Sequence, residues 1–296
     1  YSNAILSFPK TRVIAIDRDS QTKKYAMQTE KNFKNRFTFH NIKFSELNKS
    51  IGENTKLDYI IFDLGLSSLQ ILDLKRGFSF NSKNKLDMGM GINSLTAHQV
   101  INSFDLKTLT NILRFFGEEE ASYKIAKNII KKRNTGQIKL TTDLVNIIKS
   151  SKKKNFKKKI NISTKTFQAL RIFVNKEISE LIEGLIKASK FLKSGGKIVV
   201  VSFHSIEDKI VKFFFTNFSN NKPKLSRYFP ETKVEKTLFK NYSNKIIRPT
   251  QKEIEINNAS RSAKLRFAVR NKEEFFYPKN LKDRFSHYLE LENSHV

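Results

Sequence analysis

The chain has 296 residues, 39% of them hydrophobic and 26 of them Phe, which suffices for the core of one large or two modest domains and excludes a disordered polymer. Lys and Arg total 56 against 28 Asp and Glu, a formal charge of +28 that favours a polyanionic partner, nucleic acid before acidic membrane, over simple compositional drift toward Lys. The lack of Cys excludes disulfides and thiolate metal sites and suits a reducing cytoplasm, and no apolar run approaches the ~18 residues of a membrane span.

The chain opens inside what reads as a helix. YSNAIL starts at Tyr1 without the apolar core of a signal peptide, and the expectation is that an N-terminal portion has been lost. Arg12 to Ile16 (RVIAI) reads as a buried strand ending at Asp17, and Ser20 to about Asn32 as a helix with Ser20 as N-cap. Phe37 to His40 is a short strand. Leu57 to Phe62 (LDYIIF) is another, ending in Asp63-Leu64-Gly65. Such alternation predicts an α/β fold, a parallel sheet with helices on both faces. From about Thr96 to Glu183 the strand signal vanishes. Asp105 caps a helix that Gly117 breaks, Glu118 to Lys132 forms a second, Thr141 or Thr142 caps a third, and one long helix spans roughly Thr164 to Lys190. The sheet resumes after Gly195-Gly196 with Lys197 to Phe203 (KIVVVSF), and Ser205 starts a helix with Asp208 as its capping partner. Phe218 to Arg248 reads as irregular and basic, and Leu265 to Val269 as a closing strand. Beyond Asn271 a charged, mobile tail is expected, apart from a short helix near Phe285 to Leu289. The expected organisation is a sheet domain in two parts, 1–95 and 184–272, with an inserted helical domain at 96–183 and a charged tail at 273–296.

Polar residues gather where the strands end. Doubly wound sheets bind ligands at the carboxyl ends of their strands, and a carboxylate there can accept both hydroxyls of a ribose. Asp17 holds that place in VIAIDRD, with Asp19 nearby; a solvated strand-end acid is the alternative, evenly weighted. Asp63 to Ser68, with Gln70 following, makes a tight polar turn that either aims oxygens at a ligand or simply closes the strand. Ser202-Phe203-His204-Ser205 ends KIVVVSF, at the same sheet edge as the two acids if the strands are parallel. Arg76-Gly77-Phe78-Ser79-Phe80 offers an Arg and rings that either stack on a nucleobase or pack into the core. The run KKKNFKKK from Lys152 to Lys159, Lys157 included, could grip phosphate, although charge runs more often form solvated loops. Arg261, Lys264 and Arg266 form a second basic candidate. The five His show no metal-ligand spacing, and no metal site is assigned.

Taken in order, VIAIDRD, IIFDLGLSSLQ, RGFSF with LDM, the GEE from Gly117, TFQALRIFVNKEISEL, GGKIVVVSFHSIEDKIVKFFF and SRSAKLR resemble the motifs of the bacterial RsmH (MraW) rRNA methyltransferases. The resemblance runs from Tyr1 to about Arg270, and the SFHS block and TFQALRI are long and specific. It implies a Rossmann-like, S-adenosyl-L-methionine-dependent methyltransferase domain with an inserted helical domain. It also implies transfer to the N4 of a cytidine in the decoding region of small-subunit (16S) rRNA, with that rRNA or the ribosomal subunit as partner. By motif match the cofactor contacts fall on Asp17 (ribose), Phe44 (beside the adenine), Asp63 and Gln70. The family's Gly-rich loop ends in Gly-Gly-His/Tyr-Ser. Only Tyr1-Ser2 of it stands in this sequence, so Tyr1 is the remaining candidate from that loop.

The amino nitrogen of cytosine is a poor nucleophile, because its lone pair is conjugated into the ring. It must be held ~3–3.5 Å from the methyl and give up its hydrogens to an acceptor. Asp63, Ser202 and His204 are the candidate catalytic residues; whether Asp63 holds the cofactor, the amine or both is open. Methylation at carbon 5 would need a thiolate, which this chain lacks, whereas amino methylation needs none. The target base must be splayed from its stack to react. The candidate RNA contacts are Arg76, Phe78, Lys157, Arg261 and Lys264. Two rivals remain: a non-catalytic rRNA-binding module acting in ribosome assembly, and a dinucleotide-dependent enzyme, for which no G-x-G-x-x-G turn is present. Pairing of two copies is left open.

Overall fold

The computed structural model describes residues 1–92, 95–152, 161–220 and 236–294. In chain order its strands are β1 (Val13–Ile16), β2 (Phe37–His40), β3 (Leu57–Asp63), β4 (Leu192–Ser202), β5 (Phe239–Tyr242) and β6 (Lys264–Arg270). The helices are α1 (Ser2–Leu6), α2 (Lys23–Asn32), α3 (Ser68–Leu72), α4 (Ala97–Ser103), α5 (Leu106–Gly117), α6 (Ser122–Arg133) and α7 (Thr141–Ser151), then α8 (Thr164–Asn175), α9 (Glu177–Phe191), α10 (Ser205–Asn217), α11 (Gln251–Ile256), α12 (Lys279–Arg284) and α13 (Ser286–Asn293). The fold is α/β, as the alternation predicts. The chain divides into two compact units, one of Tyr1–Phe44, Leu66–Glu180 and His287–Val296, the other of Ser45–Gly65 and Leu181–Ser286. Most of KKKNFKKK, Lys157 included, lies outside the described residues.

In the first unit β1 and β2 pair in parallel, Val13 opposite Phe37 through Ile16 opposite His40. Leu6, Ala26 and Phe37 form a small core that Val13, Ala15, Phe33 and Phe39 extend, burial that outweighs the weak intrinsic stability of so short a strand pair. The helix expected from Ser20 begins later. Asp19 takes the cap, accepting from the Gln21 N–H at 3.1 Å, and a single 3-10 turn (Ser20–Thr22) precedes α2. The helices α4 to α8 all lie in this unit, with Leu109, Ile112, Leu113, Phe116, Leu170 and Ile172 fully buried. Gly117 ends α5 where α8 passes so close that a Cβ would stand 2.4 Å from the Lys165 carbonyl oxygen; that crossing admits only Gly.

The long helix expected from Thr164 to Lys190 is two helices. Lys176 adopts φ 49, a left-handed residue that stops α8. The new N-terminus of α9 is satisfied by Glu292 of α13, whose carboxylate accepts from the Ile178 N–H at 3.1 Å and the Ser179 N–H at 2.9 Å. The tail is accordingly not a loose appendage. Tyr288 packs on Phe116 with ring centroids 5.6 Å apart, and Glu292 is buried.

In the second unit the strand order is β3-β4-β6-β5. β3 and β4 are parallel, Tyr59 opposite Lys197 through Asp63 opposite Val201, and β6 runs antiparallel to both β4 and β5. The sheet is thus mixed. β4 starts earlier than expected, at Leu192, with an irregularity before Lys197 where Gly195 takes φ +80. Ile198, Ile210, Phe214, Phe215 and Phe239 are fully buried, and Phe239 meets Phe214 and Phe215 edge-on at 5.5 Å. The basic stretch read as irregular includes β5. α12 is held by buried Leu281 and by Phe285 packed edge-on against Phe213 at 5.5 Å.

Candidate active site

The loop after β1 is built from two acids in different surroundings. Asp17 is half-buried at the strand end, and its Oδ1 accepts from the Asp19 N–H at 2.7 Å. Desolvation raises its carboxyl above the ordinary range, more than the Asp19 N–H lowers it. Asp19 is buried. Burial alone would raise it, but Gln70 Nε2 donates to its Oδ2 at 2.8 Å and Arg76 Nη1 at 2.6 Å, and these hold it below the usual carboxylate range. The loop is pinned to β2 as well, since Asn41 Nδ2 donates to the Asp17 carbonyl at 2.8 Å.

Gln70 is bonded through both ends of its amide. Its Oε1 accepts from the Ser67 N–H at 3.0 Å, in a capping box for α3, while Nε2 goes to Asp19. Arg76 divides its guanidinium between Asp19 and the Gly89 carbonyl, the latter at 2.9 Å. Phe78 is buried with Arg76 over its ring at 5.3 Å, the packed alternative of the two read from RGFSF. Phe44 is half-buried at the start of a 3-10 turn (Phe44–Lys49) just beyond β2, and Tyr1 is exposed as the N-cap of α1. Tyr1, Asp17, Phe44, Gln70, Arg76 and Phe78 all belong to the first unit.

Asp63, Ser202 and His204 belong to the second unit and come together there at one sheet edge. Because β3 and β4 are parallel, their carboxyl ends coincide, and the Leu64 N–H donates to the Val201 carbonyl at 3.0 Å just past both strands. Asp63 is exposed, yet desolvation and then the nearby Glu207 charge still raise its carboxyl. Ser202 is buried and donates its hydroxyl to the Lys264 carbonyl at 3.3 Å. His204 caps α10, its Nδ1 accepting from the Glu207 N–H at 3.4 Å. Its Nε2 lies 3.1 Å from Glu207 Oε1.

Glu207 is the residue that sequence reasoning missed. It is buried, and its Oε2 accepts from the N–H groups of Phe203 at 2.8 Å and His204 at 3.3 Å. The cap therefore spans His204 to Glu207, not Ser205 to Asp208. A polar residue followed by Glu three positions on is the signal that would have found it. Asp208 instead serves the basic group, taking Arg266 Nε at 2.7 Å and Lys264 Nζ at 3.4 Å. Those cations hold its carboxyl low despite burial. Arg261 stays exposed on a 3-10 turn, bonded only weakly to Asn258 at 3.3 Å among the described residues.

The family model of the MraW methylases matches residues 1–271. This chain belongs to the MraW methylase family. Among its relatives, the protein named ribosomal RNA small subunit methyltransferase H of Ehrlichia canis is 40% identical over 269 residues, covering 90% of this chain and 88% of that one. The proteins of the same name from Rickettsia rickettsii and Parvibaculum lavamentivorans are 40% and 37% identical, covering 90% and 91% of this chain and 87% and 80% of theirs. Members of this family are methyltransferases that use S-adenosyl-L-methionine. The residues present fit the nucleoside end of such a donor. Asp17 keeps one carboxylate oxygen without a partner among the described residues, on a loop fixed from both sides, and the half-buried Phe44 ring stands just beyond the neighbouring strand. Gln70, bonded to Ser67 and Asp19, also braces that loop.

Proposed function

We propose that this chain transfers a methyl group from S-adenosyl-L-methionine to the exocyclic N4 of a cytidine in the decoding region of small-subunit rRNA, working in the cytoplasm on the rRNA or the ribosomal subunit. The names of the relatives support the RNA and the subunit. The observation that favours an exocyclic amine over carbon 5 is an exposed carboxylate, Asp63, at the carboxyl end of β3 in a chain without Cys. A thiolate route to carbon 5 is closed, whereas an amine needs only a hydrogen acceptor held in place.

In this reading Asp17 accepts the ribose hydroxyls, with Phe44 beside the adenine and Tyr1 toward the other end of the donor. The donor supplies a methyl made electrophilic by a sulfonium. Asp63 accepts a hydrogen of the cytosine amine, which frees the nitrogen lone pair for attack. The raised carboxyl of Asp63 makes it a better acceptor than an ordinary surface acid. Ser202, bonded to the β6 backbone, and His204, held over the first turn of α10 by Glu207, position the adjoining turn rather than take the proton. Lys264 and Arg261 face the RNA backbone, with the +28 charge drawing it in. In cells lacking the gene, nucleoside mass spectrometry of small-subunit rRNA should show the loss of an N4-methylated cytidine; an intact nucleoside would reject the function.

A further inference from the structure

A carboxylate on a loop grips a ligand only as well as the loop is held in place. The loop carrying Asp17 is held, within the first unit, by a residue far from it in sequence. Asn175 is the last residue of α8 and is fully buried. Its Nδ2 donates to the Met88 carbonyl and to the Arg171 carbonyl, each at 2.8 Å, and its Oδ1 accepts from the Met90 N–H at 2.8 Å. Its own backbone carbonyl accepts from Arg18 Nη1 at 2.6 Å. One residue therefore fixes the 88–90 backbone on one side and the residue following Asp17 on the other.

The circuit closes through neighbours already described. Arg76 donates to both the Gly89 carbonyl and Asp19. Gly91, at φ +93, lies so close to the same loop that a Cβ would stand 2.9 Å from the Arg18 carbonyl oxygen. Backbone 88–91 is thus a shelf against which Arg18 and Asp19 rest. An amide is the group this shelf requires, because Asn175 must donate to one backbone group and accept from another. A carboxylate fails the first task and an alkyl side chain fails both.

We infer that Asn175 is a positioning residue for cofactor binding. Through Arg18 and the 88–90 backbone it sets Asp17, and so couples the last turn of α8 to affinity for the ribose of the donor. This rests on the reading of Asp17 as the ribose acid. The test is calorimetric titration of the purified full-length protein with S-adenosylhomocysteine, below the unfolding midpoint of every variant. Asn175→Asp, close in shape but unable to donate to Met88, should weaken binding about ten-fold. Leu170→Ala, in the core of the same helix, should lower the melting temperature and leave the affinity in place. The Asp17→Ala/Asn175→Asp double variant should bind no worse than Asp17→Ala alone, since nothing remains to be positioned. If Asn175→Asp does not fold, Arg18→Met removes the second link, the bond to the Asn175 backbone carbonyl, and should give a non-additive loss of the same kind. Unchanged affinity in the positioning variants, or losses that add fully to that of Asp17→Ala, would overturn the inference. Unchanged affinity in Asp17→Ala would instead overturn the ribose reading beneath it.

Discussion

The loop after β1 and the paired turns after β3 and β4 are built to different specifications. In the first, side chains consume one another: Asp19 is tied to Gln70 and Arg76, and Arg76 to the Gly89 carbonyl. In the second, one buried acid, Glu207, gathers backbone N–H groups and leaves Asp63 exposed at the tip of its strand. Under the proposed function the two constructions answer two demands. A binding loop gains from being rigid before its ligand arrives, whereas an acid that must meet a substrate atom has to remain accessible.

Asp19 and Asp17 should respond differently to removal. Asp19→Ala leaves the half-buried Arg76 cation without its carboxylate and should cost about 3–5 kcal/mol in urea unfolding. Asp17→Ala, two residues away, should stay within about 1 kcal/mol and affect ligand affinity instead. Equal costs would mean that the loop has no division of labour.

Next in size is a pH effect in the same unit. Burial pushes the Glu292 carboxyl up to about 7 from its ordinary 4.5, against the bonds from Ser179 and Ile178 that lower it. Between those values the unfolded chain has released its proton while the folded chain keeps it. Stability should therefore fall as pH rises from about 4.5 to 7, by on the order of 3 kcal/mol, with no further loss from this group above that range. Glu292→Gln should flatten that slope in melts taken across the range; a slope as steep as in the parent would remove Glu292 as its source.

At the second region, Glu207→Ala orphans two N–H groups and should cost about 1–3 kcal/mol, whereas Asp63→Asn should leave the fold intact and slow methyl transfer. A Glu207 variant as stable as the parent would show that the turn does not depend on it. The smallest expected effect belongs to the rim. Arg261→Ala and Lys264→Ala should each reduce the salt dependence of RNA binding by about one unit of slope. An unaltered slope would place the RNA elsewhere.

Much of the frame was legible because its signals are local. Phe37 to His40 forms a strand with the expected bounds, and Asp105 caps α5 through Lys107 and Thr108 as its position before an apolar stripe implies. The break at Lys176 was not legible, because the carboxylate that satisfies α9 comes from Glu292 at the other end of the chain. The tail misled for a related reason: its charges are plain in sequence, while the burial of Leu281, Phe285 and Tyr288 depends on partners elsewhere. In the candidate site, strand-end acids announce themselves by position. Nothing local distinguishes Asp19 as the residue that is locked from Asp17 as the residue that keeps an oxygen open, since Gln70 and Arg76 decide it from a distance. Phe78 likewise fits stacking and core packing equally well in sequence, and its burial decides for the core.

The atom that receives the methyl decides the proposed function. Purified full-length protein, given a donor with an isotopically labelled methyl group and small-subunit RNA or particles from cells lacking the gene, should place label on N4 of one cytidine after digestion to nucleosides. Label on carbon 5, on another base, or nowhere in any of these substrates would contradict it.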